Sequence, residues 1–528
     1  MKFPQILTLA FLTFTAAILF GSDYGFAQST QSTQAESTNE RVARIDQYLT
    51  QVLADWPVPG FAVAIVKDDK VIFSKGYGVR ELGGSDPVDE NTLFAIASNT
   101  KAFTAAALAI LVEDGVLNWD DPVRKHLPWF KLYNDYVSED MKVRDLLCHR
   151  SGLGTYSGDL LWYGTGYSTQ QVLQRAKHLP QAGSFGRSYG YSNLMFLAAG
   201  EVITSVTGVD WHYFVRTRII DPLEMKRTVT STNDLKGIDN VATPHKTTID
   251  GNTKLDWYNW DTMTAAGGII SSTSEMTNWI RLQLRNGETE TEGQRIFSAA
   301  SSAEMWKPHT LINISDAYRA KFPTTHFRAY GLGWSMRDFK GRKIVAHGGG
   351  YDGMYSRVVL VPEENLGVVV LTNAMTSVQT VACNRILDEF LGGDNPDWSK
   401  SLMVEFKKDR AKFKQNIVDS MTPKVTGTKP SLGLENYAGT YVDEMYGEAT
   451  IEFADDKLTL AFSIGPDFVA ELTHMHLDTF AVRWKKDLAW FAGGNVQFNF
   501  DNQARITGMK MDIPNDDLWW HEFNFKRK

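Results

Sequence analysis

The stretch that decides the fold runs from Leu93 to Glu113 and reads LFAIASNTKAFTAAALAILVE. Its first residues are apolar and typical of a buried strand, and its alanine-rich remainder predicts a helix over Lys101 to Glu113. Ser98 and Lys101 stand three residues apart where that helix begins, so both side chains lie on one face. A buried lysine with a lowered pKa takes part in removing the proton of a serine hydroxyl, which makes the serine nucleophilic. The alternative is a serine that caps the helix, followed by a surface lysine.

Two later motifs have residue types that suit such a nucleophile. Tyr191-Ser192-Asn193 lies in a loop that opens a predicted helix, and a phenol held beside a lysine ammonium loses its proton at lower pH. His347-Gly348-Gly349-Gly350 follows a strand-like run, where glycines let a substrate backbone approach and leave N–H groups free for an oxyanion. Taken alone, Tyr191 also fits a packing aromatic and His347 a turn residue.

The order Ser-x-x-Lys, Tyr-x-Asn, His-x-Gly resembles the serine β-lactamase and penicillin-binding-protein superfamily. The likeness is to its class C β-lactamase-like branch, which includes D-aminopeptidases and esterases. It covers roughly residues 41–393. Supporting matches are the stretches Leu146 to Leu153, Ala266 to Gly268, and Tyr330 to Trp334.

The resemblance implies a role for each motif residue. Ser98 is acylated, Lys101 and Tyr191 share the general-base and general-acid work, and Asn193 orients the substrate. The backbone N–H groups of Ser98 and Gly350 form the oxyanion hole, in a motif that His347 and Gly349 complete. His347 stands where class C β-lactamases have lysine. A histidine is mostly neutral near pH 7 and suits a substrate carboxylate less well, so the motif favours a peptidase or esterase.

The expected function is therefore hydrolysis of short or unusual peptides, including those with D-residues, by a serine peptidase or amidase. A carboxylesterase or weak β-lactamase is the first alternative, and a penicillin-binding sensor with little turnover is the second. No cofactor and no metal are expected, although His474, His476 and Asp478 fit one face of a strand and form a minority metal hypothesis. The net charge of −8 with mixed signs disfavours a nucleic-acid partner, and oligomeric state stays open.

Strand-like and helical runs predict an α/β fold of the α+β type over residues 41–393. Strand-like segments at both ends of this region flank a helical, loop-rich middle, which favours one antiparallel sheet that carries a helical lobe. These predicted strands cover residues 61–66, 71–77, 331–336, 343–347, 355–361 and 366–371.

The C-terminal third has a different composition. Residues 394–433 are predicted to be a linker with a charged helix over 407–418. Residues 434–528 have short alternating strands, and the predicted interior is aromatic, with Tyr437, Phe480, Trp490 and Phe498 among its members. An all-β barrel or sandwich fits this pattern, and the module resembles lipocalin-like domains.

The N-terminus predicts export. Residues 1–27 are a predicted signal peptide, because Lys2 gives a positive start, the run from Ile6 to Phe20 is short for a membrane span, and Ala27 fits a cleavage site. An N-terminal anchor helix is the alternative. Residues 28–40 predict a disordered spacer. The mature chain is thus expected to be secreted or periplasmic, with no stable membrane insertion.

The sequence has two cysteines, Cys148 and Cys383. A chain of this length has a core large enough to fold without disulfides. Two buried free thiols are therefore expected, and a disulfide between them is the alternative.

Overall fold

The structure, a computed structural model, describes residues 37–515 and 517–528. The predicted signal peptide over residues 1–27 and most of the predicted spacer lie outside the described residues. The spacer prediction over 28–40 extends too far, because helix α1 begins at Thr38. Ser37 and Glu40 form a reciprocal capping box at this helix start, which satisfies backbone N–H groups that would otherwise lack partners.

Eight antiparallel strands form the main sheet of the hydrolase domain, and four short strands form two separate pairs. The twelve strands are β1 (Gly60–Lys67), β2 (Lys70–Gly78), β3 (Phe94–Ala95), β4 (His245–Thr248), β5 (Gly251–Lys254), β6 (Ile270–Ser271), β7 (Thr310–Leu311), β8 (Arg328–Tyr330), β9 (Ser335–Phe339), β10 (Arg342–Tyr351), β11 (Met354–Val361) and β12 (Leu366–Thr372). The strand order in the main sheet is β2-β1-β12-β11-β10-β9-β8-β7. Phe61 pairs with Thr372, so the prediction of one sheet built from both ends of the domain is confirmed.

Helices cover both faces of this sheet. They are α1 (Thr38–Asp55), α2 (Thr100–Glu113), α3 (Val123–His126), α4 (Asp135–Asp140), α5 (Val143–Leu146), α6 (Thr169–Arg175), α7 (Asn193–Thr207), α8 (Trp211–Val215), α9 (Thr264–Gly267), α10 (Thr273–Leu284), α11 (Ala299–Met305), α12 (Asp316–Lys321), α13 (Val378–Leu391) and α14 (Trp398–Ser420). The helical lobe, with α2 and α7, shares one apolar core with one sheet face. Helices α1, α13 and α14 form the second core on the opposite face.

The predicted strand over residues 331–336 is wrong in part. The chain leaves β8 at Tyr330, turns, and re-enters the sheet at Ser335. Gly333 has a left-handed φ of 74°, and a Cβ added there would lie 2.7 Å from the backbone oxygen of Lys101. A tight turn that packs against the start of α2 therefore replaces the first part of the predicted strand.

The predicted linker helix is longer than its charge pattern indicated. Helix α14 begins at Trp398, whose indole donates a hydrogen bond of 2.6 Å to Asp388. Leu402 and Phe406 are buried in the second core. The first turns of this helix thus belong to the hydrolase domain. The prediction missed them because it followed the charged residues, which lie mainly in the later turns.

The C-terminal module is a closed barrel of eight antiparallel strands in sequential order, as the lipocalin-like prediction required. They are β13 (Gly439–Asp443), β14 (Gly447–Ala454), β15 (Lys457–Phe462), β16 (Gly465–His476), β17 (Thr479–Trp484), β18 (Gly493–Phe500), β19 (Ile506–Asp512) and β20 (Phe525–Arg527). Tyr437, Phe480 and Phe498 fill its interior as predicted, with ring centroids 4.9 to 5.6 Å apart. Trp490 does not belong to the barrel core, because it is part-exposed in a loop that reaches the hydrolase domain.

The barrel and the hydrolase domain share one apolar core and several part-buried polar contacts. Glu522 accepts hydrogen bonds from the Ser157 hydroxyl and, at 3.0 Å, from the Gly158 N–H. Lys246 forms an ion pair of 2.7 Å with Asp487. The two parts are therefore packed as one body in the described structure.

Cys148 and Cys383 are buried free thiols, as expected. Each lies in a different apolar core, on opposite faces of the sheet.

Within the described ranges no single helix has the length and apolarity of a membrane span. The pair Asn193–Thr207 and Trp211–Ile220, bent by 82°, meets that test only when taken together.

Candidate active site

Ser98 lies in a 3₁₀ turn, Ala97–Asn99, directly before helix α2. Ala97 has a φ of 47°, a conformation that costs a non-glycine residue free energy and is held by its surroundings. Ser356 on β11 holds the turn, because its hydroxyl donates 2.7 Å to the Ile96 carbonyl and accepts 2.8 Å from the Asn99 amide. The strained turn therefore presents the Ser98 hydroxyl to the cleft while the helix begins behind it.

Lys101 lies beneath Ser98 and is fully buried. Its Nζ donates hydrogen bonds to Ser98 Oγ at 3.0 Å, Asn193 Oδ1 at 2.7 Å and the Ala266 carbonyl at 2.9 Å. Burial lowers the pKa of Lys101 to about 7, against a smaller opposing effect of the Asp159 charge. In the neutral amine two N–H groups still satisfy Asn193 and Ala266, which leaves the lone pair directed at Ser98. This arrangement can accept the serine proton.

Asp159 is a site residue that the sequence analysis missed. Its Oδ2 accepts 2.6 Å from the Asn193 side-chain amide, and its Oδ1 accepts 3.0 Å from the Trp162 indole. Burial raises the pKa of Asp159 to about 7, although both hydrogen bonds oppose that rise. The carboxylate fixes the orientation of the Asn193 amide, so that its oxygen points at Lys101. The only sequence signal was an acidic residue before an apolar run, which also fits a helix cap.

Tyr191 contacts both members of the Ser-Lys pair. It shares a hydrogen bond with Ser98, and its ring centroid lies 4.9 Å from Lys101 Nζ. Burial raises the pKa of Tyr191 above its ordinary value, and neighbouring tyrosines add to that rise. The expectation that the lysine makes this phenol easier to ionise is therefore wrong for the unliganded site. Desolvation in the wall of the cleft dominates, and the lysine faces the ring, so Tyr191 is held as a proton donor.

His149, part of the stretch Leu146 to Leu153, holds the Tyr191 loop. Its Nδ1 accepts 3.1 Å from the Ser192 N–H, and its ring centroid lies 4.1 Å from that of Tyr191. Burial lowers the pKa of His149 well below its ordinary value, with the Lys101 charge adding to the effect. The neutral ring thus positions the tyrosine.

His347 is buried at the edge of the cleft with both ring nitrogens occupied. Nδ1 lies 2.6 Å from the Gly348 carbonyl and therefore donates to it, so Nε2 accepts from the Tyr330 hydroxyl at 2.7 Å. Burial, aided by the Lys101 charge, lowers the pKa of His347 to about 3. The ring is therefore neutral at physiological pH and does not supply the positive charge of a lysine.

The glycines after His347 have different reasons for lacking a side chain. A Cβ at Gly349 would lie 2.2 Å from the Ile96 oxygen, so the missing side chain lets β10 pack on the nucleophile turn. That this glycine also lets substrate approach stays a prediction. A Cβ at Gly350 would lie 3.2 Å from Trp490, a residue of the barrel module. Gly348 is exposed and open, with no atom closer than 3.8 Å to that position.

The cleft above Ser98 has a volume of about 440 Å³. Six of the seven predicted site residues line it, and Lys101 lies just below. Trp490 and Leu518 extend the wall from the barrel, and Trp490 is anchored by a hydrogen bond to the buried Asp352. The sequence analysis placed the barrel apart from the site, so it missed this wall.

The three residues of the metal hypothesis point to separate partners. His474 Nε2 contacts the Leu477 carbonyl at 2.9 Å, and His476 accepts 3.3 Å from the Lys424 N–H. Asp478 accepts from Ser431 at 2.8 Å. Among the described residues, no group of three or more His, Cys, Asp or Glu side chains is arranged to hold a metal ion.

The buried lysine bonded to a serine at a helix start defines a serine hydrolase of the Ser-x-x-Lys type. The chain belongs to the beta-lactamase family, whose model matches residues 45–390. Residues 423–527 match a domain of unknown function (DUF3471).

Several relatives and solved structures are similar to this chain. The unguisins hydrolase ungD of Aspergillus violaceofuscus is 29% identical over 440 residues, which cover 77% of this chain and 76% of the relative. An octameric penicillin-binding protein homologue from Pyrococcus abyssi superposes with a TM-score of 0.60 at 21% identity, over 90% of this chain and 98% of the other. A D-stereospecific amidohydrolase from Streptomyces sp. has a TM-score of 0.52 at 25% identity and covers 67% and 99% of the two chains.

Proposed function

We propose that this chain hydrolyses amide bonds in short peptides, including peptides with D-residues, through an acyl-enzyme on Ser98. The observation that carries the proposal is the buried Lys101, whose pKa of about 7 and 3.0 Å contact with Ser98 Oγ suit a general base. A base with a pKa near the working pH is available in its neutral form and still accepts a proton.

The residues divide the proton transfers between them. Ser98 Oγ attacks the amide carbon while its proton moves to Lys101 Nζ, and the oxyanion is stabilised by the N–H groups of Ser98 and Gly350. When the C–N bond breaks, the leaving nitrogen takes the phenolic proton of Tyr191, which the Lys101 proton then replaces. Water then attacks the ester on Ser98, with Lys101 and Tyr191 in the reverse of their roles in acylation, and the acid is released. Asn193 keeps its oxygen on Lys101 throughout, because Asp159 holds the amide.

Peptide substrates are favoured by the free edge of β10. Its pairing with β9 ends at Ala346, whereas its pairing with β11 continues to Tyr351. Residues 347–351 thus have one edge without a strand neighbour among the described residues, beside the nucleophile. An extended peptide can bind such an edge through main-chain hydrogen bonds.

Two similar proteins support hydrolysis of amides or peptides in general, without specifying the substrate. One relative is named for hydrolysis of unguisins, and one structural neighbour is a D-stereospecific amidohydrolase. The neutral His347 supports amides over β-lactams, since it leaves no lysine charge at that position for a carboxylate.

A substrate panel tests the proposal. Alanine p-nitroanilides of both hands, p-nitrophenyl acetate and a chromogenic cephalosporin are compared by kcat/KM in the wild type, Ser98→Ala and the matched control Ser298→Ala, a helix cap on α11. We expect the amides to exceed the cephalosporin in kcat/KM and the Ser98→Ala protein alone to lose activity. Faster cephalosporin turnover would indicate a β-lactamase, ester hydrolysis without amide hydrolysis an esterase, and a persistent penicillin adduct a sensor.

Export is a separate part of the proposal and rests on the apolar run from Ile6 to Phe20. A signal peptide removed after about Ala27 would deliver the enzyme to extracytoplasmic peptides. Mass spectrometry of the mature N-terminus tests this, and an intact Met1 in a membrane fraction would support the anchor instead.

A further inference from the structure

A second cavity lies behind the barrel wall of the catalytic cleft. Its volume is about 200 Å³. The hairpin of β4 and β5, helix α14 and the barrel segment 489–492 form its walls. Tyr355, Trp490 and Asp517 line both this cavity and the cleft above Ser98. The two spaces therefore adjoin each other through a shared wall.

A group of apolar side chains lines one side of this cavity. Phe413 and Ile417 stand four residues apart on α14 and share one helix face. Both are half-buried, yet neither belongs to the apolar cores formed by the described residues. Ile249, at the turn between β4 and β5, also lines the cavity and is 37% exposed. These three side chains thus face a space that a further apolar group can fill.

The lysines of the cavity already have anionic partners. Lys246 forms an ion pair of 2.7 Å with Asp487, and Lys414 forms one of 2.7 Å with Asp250. The guanidinium of Arg410 lies 5.7 Å from the centroid of an aromatic ring on the same helix. Because the lysine charges are paired, the apolar side chains are the part of the cavity that gains most from a ligand.

The position of Trp490 is set by the hydrolase domain. Lys246 on β4 donates 2.6 Å to the carbonyl of Leu488, two residues before Trp490. The Trp490 indole bonds to the buried Asp352 at the turn between β10 and β11. The barrel segment is thus fixed on both sides of the shared wall.

The wall leaves a passage beside Gly350. The ring centroids of Trp490 and Tyr355 lie 6.5 Å apart, at the long end of the range for aromatic contacts. A Cβ added at Gly350 would lie 3.2 Å from each of the two rings, so the glycine lies between them. Its missing side chain leaves room for a substrate chain to continue from the cleft toward the cavity.

The proposed mechanism decides which part of a substrate reaches this passage. Tyr191 gives its proton to the leaving nitrogen, and its ring centroid lies 6.3 Å from that of His347. The leaving group therefore lies at the His347 end of the β10 edge. Gly350, whose N–H binds the oxyanion in that mechanism, is three residues further along, roughly 10 Å in a strand. The acyl part of the substrate thus continues past Gly350 toward Trp490.

We propose that this cavity is a subsite for a large apolar side chain of the substrate, on the residue that precedes the one joined to Ser98. The inference rests on the proposed function and adds a preference at a second substrate residue. An apolar cavity of about 150 Å³ holds a benzene molecule, so about 200 Å³ accommodates the side chain of phenylalanine. Helix α14 and the barrel segment lie beyond residue 390, so the subsite is built by the C-terminal part of this chain and not by the beta-lactamase domain alone.

The test compares ligands that differ in that one side chain. N-acetyl-phenylalanyl-alanine p-nitroanilide and N-acetyl-glycyl-alanine p-nitroanilide, with alanine of both hands, are assayed for kcat/KM. The corresponding amides are titrated calorimetrically into Ser98→Ala protein, which needs no turnover. For one hand of alanine we expect phenylalanine to raise both kcat/KM and affinity about 10-fold or more, because its ring is removed from water.

Variants of α14 assign this preference to the cavity. Ile417→Trp fills the space and should reduce the phenylalanine-to-glycine ratio to about one. Val418→Trp is the matched control, because Val418 is the next residue of the helix, is 49% exposed and does not line the cavity. It should keep the ratio. Ile249→Glu places a charge at the exposed side of the cavity and should also lower the ratio, so the test does not depend on one variant; thermal unfolding verifies that each is folded.

Three results would overturn the subsite. The first is equal binding of the phenylalanyl and glycyl amides by folded Ser98→Ala protein, even if the proposed amidase activity is found. The second is a phenylalanine preference that folded Ile417→Trp and Ile249→Glu proteins retain. The third is a preference confined to the residue after the scissile bond, measured with N-acetyl-alanyl-phenylalanine amide against N-acetyl-alanyl-glycine amide. A binding preference that the variants remove, without hydrolysis by the wild type, would support the subsite and contradict the proposed function alone.

Discussion

The link between Asp159 and Lys101 predicts how activity depends on pH. Lys101 acts as a base only when neutral, so kcat/KM should fall as the pH drops through about 7. The Asp159 charge raises the pKa of Lys101, against the larger lowering effect of burial. Asp159→Asn removes that charge, and we therefore expect the acid limb of the profile to move to lower pH.

The size of the shift follows from the geometry. Asn193 bridges the two groups through hydrogen bonds of 2.6 and 2.7 Å. The charges are then roughly 6 Å apart, and at an effective dielectric constant of about 20 their attraction is about 3 kcal/mol, or about two pKa units. Burial raises the pKa of Asp159 to about 7, so the carboxylate is only partly charged there. We therefore expect a shift of about one pH unit.

The assay is kcat/KM for an alanine p-nitroanilide between pH 5 and 9, roughly the range in which Lys101 titrates. Asp352→Asn is the matched control. Asp352 is also fully buried with a pKa raised to about 6, but it bonds to Tyr163 and Trp260 and not to Asn193. The acid limb of the Asp352→Asn profile should lie at the same pH as in the wild type. An acid limb that stays fixed or moves to higher pH in Asp159→Asn would refute the reasoning, provided that thermal unfolding shows the variant is folded.

Three further predictions concern the catalytic pair, the histidine and the barrel wall. Ser98→Ala and Lys101→Ala should each abolish most of kcat, and the double variant should be little worse than either, because the two groups act as a unit; additive losses would contradict this. His347→Lys should raise cephalosporin hydrolysis relative to amide hydrolysis, and an unchanged ratio would show that charge at this position does not select substrates. Trp490→Ala should widen the cleft beside Gly350 and raise kcat/KM for bulky substrates over small ones, whereas an unchanged size preference would exclude the barrel from specificity.

The barrel contact also bears on truncation. The sequence analysis predicted a linker over residues 394–433, after a hydrolase domain that carries all three motifs. The structure instead shows Trp490 in the cleft wall and Glu522 bonded to Ser157 and Gly158 of the lobe. Removal of the barrel would expose shared apolar core, so single substitutions are the sharper test of its role.

Local sequence determined the elements and the order of the motifs. The alanine-rich run after Ser98 forms α2, the alternating aromatic segments form barrel strands, and the i, i+3 spacing places Lys101 under Ser98. These features depend on neighbours along the chain, through helix propensity and the periodicity of apolar residues, and are therefore readable without a tertiary structure.

Only the tertiary structure decided the electrostatics and the boundaries of the site. Burial by distant segments keeps His347 neutral and Tyr191 protonated, and it lowers the pKa of Lys101. Asp159 acts through Asn193, 34 residues further along, and Trp490 reaches Gly350 from another module. Desolvation and charge coupling depend on distance in space, so the sequence names the ionisable groups while the fold determines which of them carry a charge.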